Sequence, residues 1–230
     1  MDKKETNEKP VKNRKRFRLI LNICIIVFSL VLLAVEGVVY YQRSYLTPFW
    51  VNGQSMYPTL NLHAKDAEGN ELGSAPESAS AKEGYTVDYG VMDCHARAIK
   101  KLKRFDVVVT KYAKEDTSNK IKRILGLPGE ILQFKSNGDL YINGQFTKQP
   151  IEEKYIREGS YPTEPCTLGD NQYYVVGDNR GHSYDSRNVG PIVKDDITGK
   201  AIAVCGTAKV YKDGNYLDVK DIKYSWPRYL

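Results

Sequence analysis

Hydrophobic positions along this 230-residue chain follow two patterns. From Leu19 to Tyr41, LILNICIIVFSLVLLAVEGVVYY, apolar residues run on for 23 positions with Glu36 as the only charge. A helix needs about 20 apolar residues to cross the hydrocarbon of a bilayer, so this run predicts a spanning helix. Beyond it the apolar residues come in short runs rich in Val, Ile, Tyr and Phe, broken by Gly, Pro and Asn, which is the pattern of strands. Arg104 to Tyr112, Asn119 to Leu125, and Gln172 to Asp178 each read as one strand, and Gly199 to Tyr211 as one or two more. EILQF and DLYI, with Asn137-Gly138 between them and Asn143-Gly144 after, read as a meander with two tight Asn-Gly hairpins. No strong 3.6-residue period follows the apolar run, and no repeat is visible. The expectation is a mostly β protein: a transmembrane helix at 19–41, then an antiparallel β domain of the chain outside the membrane at 42–230. Residues 61–103 break the pattern. Their first part, AKDAEGNELGSAPESASAKEG, is small and polar like a surface loop, and their second part has enough apolar residues to pack. They read as an insertion that covers the site or is simply tolerated on the surface.

Charge sharpens the picture of the helix. Residues 1–18 hold eight Lys/Arg against three acids, while the other 212 residues carry 26 basic and 25 acidic groups. The basic excess is thus a tail at 1–18 and not a face of the main domain, which argues against a nucleic-acid partner. A basic flank stays on the cytoplasmic side, placing the β domain outside the plasma membrane. A cleaved signal peptide is the competing reading. The apolar stretch exceeds the ~7–15 residues of such a segment, and Ala34-Val35-Glu36 is a poor cleavage site.

Cys24 lies in the apolar run. Cys94, Cys166 and Cys205 lie in the outer part, and their odd number leaves one disulfide, or none, open. Cys94 and His95 are adjacent, and on an extended chain they point to opposite faces, so they make a poor catalytic pair. His63, His95 and His182 have no ligand-like spacing with Cys or carboxylates, and no metal is expected.

Three polar, Gly- and Pro-containing blocks carry the candidate chemistry: VNGQSMYPTL (51–60), IKRILGLPGE (121–130) and GDNRGHSYDSR (177–187). A serine needs a base in hydrogen-bond contact to become a nucleophile. The histidines show no partner pattern. A lysine serves as base only where burial lowers its pKa, and Lys122, in an apolar strand, meets that condition. Lys120 shares its face by alternation, and Arg123 points the other way. Taken singly, Ser55 reads as a loop serine and Lys122 as an exposed strand lysine.

Taken together, G-x-S-M-x-P-T-L, K-R-x-x-G-x-P-G-E and G-D-N-R-x-x-S-x-D-S-R, in that order after one N-terminal span, closely resemble the type I signal peptidases across roughly residues 45–211, with RFDVVV and its Asp106 as an intervening strand block. The resemblance implies Ser55 as nucleophile and Lys122 as general base. It implies Ser183 as the residue that orients the lysine, Asp185 and Arg187 as a supporting ion pair, and Asp178 and Asn179 as loop-shaping residues. Val51, Met56, Leu60 and Ile121 fall at pocket positions suited to small side chains. The substrates it implies are secreted preproteins, cut after an A-x-A signal at the lipid surface without a cofactor. Where one branch of the family has a serine hydroxyl as second oxyanion donor this chain has Gly53, leaving the Ser55 N–H and an open question; glycine there, like the single anchor, resembles the Gram-positive branch. Three other readings stand beside this one. The first is an inactive binding module, which the presence of Ser55, Lys122 and Ser183 disfavours. The second is a sortase-like transpeptidase, for which only Cys205 offers a nucleophile. The third is a serine/lysine peptidase dedicated to a narrow substrate set, suggested by the stretch at 61–103.

Overall fold

The computed structural model describes residues 9–73, 81–112 and 118–230. It divides into two compact units, residues 1–45 and 46–230. The first is helix α1, Lys9–Tyr45. Within it Arg16–Tyr41 is long and apolar enough to cross a membrane. Of the basic stretch expected as a tail at 1–18, residues 9–18 lie in this same helix and residues 1–8 lie outside the described residues.

The second unit is mostly antiparallel β. In chain order its elements are β1 (Leu46–Trp50), β2 (Thr86–Asp93), α2 (Ala96–Lys100), β3 (Val107–Thr110), β4 (Lys120–Gly126), β5 (Ile131–Phe134), β6 (Leu140–Ile142), β7 (Gln145–Thr147), α3 (Glu153–Arg157), β8 (Cys166–Thr167), β9 (Gln172–Val176), α4 (Ser186–Val189), β10 (Ile192–Val193), β11 (Ile197–Asp213) and β12 (Tyr216–Tyr229). Among the described residues, eight strands form one sheet in the order β1-β2-β11-β3-β4-β9-β10, with β12 on β11. The remaining four, β7-β6-β5-β8, form a smaller sheet.

Strand β11 is the spine of the large sheet. Its first residues pair β3, from Ile197 opposite Thr110 to Lys200 opposite Val108. From Ala203 to Asp213 that same edge pairs β12, while β2 takes the opposite edge from Lys200 to Lys209. So the second half of the 61–103 stretch, read as an insertion, supplies β2, a strand paired on both edges. The alternation Val87, Val91 and Met92 is diluted by Asp88, Tyr89 and Gly90, which hid the strand. Gly90 is required there, because an added Cβ would stand 2.5 Å from the Ala203 carbonyl oxygen.

Asn143-Gly144 makes the expected two-residue hairpin, joining Ile142 to its partner Gln145 with both residues at positive φ, 51° and 78°. That twist matches the flanking strands. Asn137-Gly138 lies in a longer turn, 135–139, between paired Phe134 and Leu140, where only Gly138 takes positive φ.

Two apolar clusters frame the site. Val51, Met56 and Leu60 pack on Val107 of β3 and on Ala201 and Val204 of β11. Leu125, Leu132, Phe134, Leu140, Tyr174 and Val176 join the small sheet to the large one. The cysteines are all free thiols, so the possible disulfide is absent. Cys205 is half-buried.

Candidate active site

The chain from Val51 to Asn61 crosses the large sheet as a series of turns, with a cis peptide bond at Tyr57-Pro58. Apolar side chains anchor it from below: Met56 and Leu60 are fully buried. Ser55 is thereby left at the rim of the sheet, facing β4. Lys122 on β4 lies opposite Val108 of β3 and is only 4% exposed. Its Nζ lies 2.7 Å from Ser55 Oγ and donates to the Ile121 carbonyl at 3.0 Å.

Burial is the main influence on this amine. It removes water from the charged form and pushes the Lys122 pKa down to about 8, with Lys120 and Arg187 acting in the same direction and Asp185 and Asp178 opposing. The outcome is a lysine of which about a tenth is neutral at pH 7, far more than for a lysine in water, in contact with a serine hydroxyl.

Ser55 is further constrained through its backbone. The Asn179 N–H donates to the Ser55 carbonyl at 3.0 Å, and Asn179 Nδ2 donates to the Gln54 carbonyl at 3.2 Å. The Tyr57 N–H also donates to the Gln54 carbonyl, at 3.0 Å. In a trans peptide the C=O and the next N–H point opposite ways. Fixing the Gln54 carbonyl against Asn179 therefore turns the Ser55 N–H away from Asn179. Asn179 is fully buried, and its Oδ1, like Gln54 Oε1, has no partner among the described residues.

Beneath this pair lies a layer of buried charge. Arg123, pointing opposite to Lys122, makes a bidentate contact with Asp178: Nε to Oδ1 at 2.8 Å and Nη2 to Oδ2 at 2.6 Å. Thr59 Oγ1 donates to the same carboxylate at 2.5 Å. Asp185 is buried and accepts from Arg187 Nε at 2.9 Å, from the Gly177 N–H at 2.9 Å and from Ser183 Oγ at 2.6 Å. Burial alone pushes the Asp185 carboxyl up. The Arg187 guanidinium, the Ser183 hydroxyl and the Gly177 N–H outweigh it, and the pKa lies below the usual carboxylate value. Asp185 also caps α4 with its side chain, reciprocated by Asn188, which fixes where Arg187 starts.

Ser183 thus gives its hydroxyl hydrogen to Asp185, and among the described residues no hydrogen bond joins it to Lys122. It reaches the pair through Gly177. A Cβ at Gly177 would meet Ser183 Oγ at 2.2 Å and the Ser55 carbonyl oxygen at 2.5 Å, so this glycine is where the third block touches the first.

A cavity of about 260 Å³ opens in front of Ser55. Val51, Asn52 and Gly53 form one wall and Lys120, Ile121 and Lys122 the other. Of the four apolar residues expected at pockets, Val51 and Ile121 line this cavity, while Met56 and Leu60 sit behind it in the core. The β4 edge is open here: pairing with β9 begins only at Arg123, opposite Val176, while Lys120 to Lys122 pair β3 alone. His63 and His182 are exposed, and His95 caps α2 by accepting from the Arg97 N–H. Asp106, just before β3, pairs with Lys200 of β11 at 2.8 Å.

Residues 20–205 match the family described as signal peptidase, peptidase S26. The chain belongs to that family. It is 34% identical over 160 residues to signal peptidase I V of Bacillus subtilis, covering 65% of this chain and 79% of that protein. It is 30% identical over 207 residues to signal peptidase I T of the same organism, covering 86% and 91%. A signal peptidase I crystal structure from Enterococcus faecalis is 27% identical, with a TM-score of 0.38 over 44% of this chain and 96% of that one.

Sequence reasoning about this S26 peptidase missed several residues that shape the site. Arg123 was placed on the far face of β4 without its partner Asp178, because strand alternation says where a side chain points and not what meets it. Arg180 is buried and donates to the Gly177 carbonyl at 2.8 Å and to Gln149 at 2.5 Å. Its position in G-D-N-R was the one available signal.

Proposed function

We propose that this S26 peptidase is a signal peptidase I that removes signal peptides from exported preproteins, with Ser55 as nucleophile and Lys122 as general base. The observation that carries the proposal is the 2.7 Å contact between Ser55 Oγ and a lysine amine held almost wholly out of water. Burial favours what the mechanism requires, an amine that loses its proton around pH 8 and not above pH 10.

Neutral Lys122 takes the hydroxyl proton as Ser55 Oγ attacks the scissile carbonyl carbon. The carbonyl electrons move to its oxygen, giving a tetrahedral oxyanion beside the Ser55 N–H. One such donor is worth about 3–4 kcal/mol in the transition state. Collapse breaks the C–N bond, and protonated Lys122 hands its proton to the departing amine. The acyl group is then on Ser55 Oγ. Water attacks it with Lys122 again taking a proton, and Ser55 is released with its hydrogen restored. Gly53 leaves room for backbone or solvent as a second donor. In this scheme Asn179, Gly177, Ser183, Asp185 and Arg187 set geometry, and Asp178 with Arg123 holds the floor.

The open β4 edge at Lys120–Lys122 suits a substrate that adds as an extended strand. The cavity beside it falls below the roughly 300–1,000 Å³ of small-molecule sites, and Val51 and Ile121 give it apolar walls. Short side chains fit such a space, which supports cleavage after an A-x-A sequence. Helix α1 anchors the peptidase in the plasma membrane, with its basic end cytoplasmic and the β unit outside.

The test uses full-length protein in detergent micelles and a preprotein with an A-x-A site. Cleavage at that bond by wild type, lost in both Ser55→Ala and Lys122→Ala, is expected. Cleavage that survives Ser55→Ala would overturn the mechanism.

A further inference from the structure

The Val51–Asn61 segment is gripped from two sides, and the second grip comes from the far end of the chain. Arg228 of β12 sends Nη2 to Asp88 Oδ2 at 2.9 Å and donates through Nη1 to the Thr59 carbonyl. The same Asp88 oxygen accepts the Asn61 N–H at 2.8 Å, and the Asp88 N–H donates to Asn61 Oδ1 at 2.8 Å. Asn61 Nδ2 then donates to the carbonyls of Val51 at 2.9 Å and Gly53 at 3.1 Å. Asn61 is buried and sits at φ 59°, a conformation asparagine tolerates better than most residues. Leu230, two residues past Arg228, packs with Val51, Met56 and Leu60.

We propose that Arg228, acting through Asp88 and Asn61, is a positioning residue that holds the Val51–Gly53 carbonyls, and so the backbone leading into Ser55, in the geometry needed for attack. The physical reason is the orientation of peptide planes. With the Val51 and Gly53 carbonyls bound to one amide, the N–H groups of Asn52 and Gln54 face the opposite way, and the strand cannot roll. Asn179 does the same for the Gln54 and Ser55 carbonyls from the other side. Asp88 is the weak point of the outer grip. Burial pushes its carboxyl up, and the Asn61 N–H, Arg228 and His63 counter that. Without Arg228 a mostly buried carboxylate loses its counter-charge. It then takes up a proton or opens to solvent, and its two bonds to Asn61 slacken.

The proposal rests on Ser55 being the nucleophile. It is tested with the full chain in detergent micelles and the A-x-A preprotein, measuring kcat, KM and Tm for wild type, Arg228→Ala, Arg228→Lys, Asp88→Asn and the double variant Arg228→Ala/Asp88→Asn. Misplacing a reacting group by about 1 Å costs on the order of 100-fold. Arg228→Ala is therefore expected to lower kcat by about 10- to 100-fold with KM changed by less than about threefold, while Arg228→Lys recovers most of kcat by keeping the charge. The double variant is expected to be no slower than the slower single variant, since both changes act on one network. A kcat for Arg228→Ala within about twofold of wild type, a loss that Arg228→Lys shares in full and that tracks a fallen Tm, or additive losses in the double variant would each overturn the proposal. If Arg228→Ala does not fold, Asp88→Asn against Arg228→Lys decides by the same kcat and KM criteria. Cleavage that survives Ser55→Ala, measured alongside, would instead remove the nucleophile assignment on which the inference stands.

Discussion

The two sheets bury different things. The small sheet buries Leu132, Phe134, Leu140 and Ile142, all apolar, against Leu125 and Val176. The large sheet, where it meets Val51–Asn61 and the loop after β9, buries Lys122, Arg123, Asp178, Asn179 and Asp185. Taking charges out of water costs several kcal/mol each unless partners are supplied. Arg123 and Asp178 find each other, and so do Asp185 and Arg187. Lys122 has no carboxylate within its hydrogen bonds, only a serine hydroxyl and a carbonyl. Arg180 is also buried without a carboxylate, on the Gly177 carbonyl and Gln149, but a guanidinium keeps its proton, which leaves Lys122 as the buried cation able to shed its charge.

The sharpest way to break the comparison is to remove that group. Lys122→Ala and Ser55→Ala are each expected to lower kcat by about 10⁴-fold or more, as losing one member of a nucleophile–base unit does. The check is single-turnover cleavage of the preprotein, and a Lys122→Ala enzyme with more than about a hundredth of wild-type activity would rule the lysine out as base.

The next largest effect comes from Gly177. Alanine there sets a methyl group against the Ser55 carbonyl oxygen and Ser183 Oγ. Displacing Ser55 by about 1 Å costs on the order of 100-fold in kcat. Gly190, also glycine but with open space at its Cβ position, is the contrast, although its positive φ of 81° strains any replacement. Comparing kcat of the two alanine variants separates crowding at the site from backbone strain elsewhere.

A pH profile probes the charge itself. With the Lys122 pKa lowered to about 8 from 10.5, kcat/KM is expected to rise with pH up to about 8 and then level off. At pH 6 the neutral fraction, and with it the rate, is about a hundredfold below the plateau. The stability sign follows from the same shift. Between about pH 8 and 10.5 the unfolded chain holds a proton on this lysine that the native protein has shed, so the contribution of Lys122 to stability grows with rising pH. An activity limb that stays near pH 10 would show Lys122 fully hydrated.

Much of this was legible before any coordinates. The apolar run became α1, and the strands around RFDVVV, NKIKRIL, EILQF, DLYI and QYYVV appear where β-branched spacing placed them. The three blocks converge because each contains the turn or strand end that carries its polar residue. What stayed hidden was pairing over long separations. Strand β2 carries Asp88, Tyr89 and Gly90 in its middle and reads as insertion, because its fitness for the sheet depends on Asn61, Arg228 and the approach of Ala203. Ser183 was expected beside Lys122, and its hydroxyl hydrogen goes to Asp185, two residues on. A motif names the residues that gather at a site; it does not rank the acceptors each will choose.

The smallest effect on catalysis is expected in the small sheet. Leu140 is fully buried among Leu132, Phe134 and Ile142. Leu140→Ala removes apolar contacts and leaves a cavity, costing about 2–5 kcal/mol of stability. None of its neighbours in that cluster hydrogen-bonds to Ser55, Lys122 or Asn179. Thermal unfolding is therefore expected to move down by several degrees, while kcat and KM of the folded enzyme at low temperature stay within about twofold of wild type. The contrast with Gly177→Ala is then complete in both directions: one methyl added beside the polar layer lowers the rate, and several carbons removed from the apolar sheet lower only stability. If Leu140→Ala instead lowered kcat tenfold at full folding, the two sheets would be one mechanical unit, and the apolar cluster through Leu125 and Val176 would be the path that couples β4 and β9 to it.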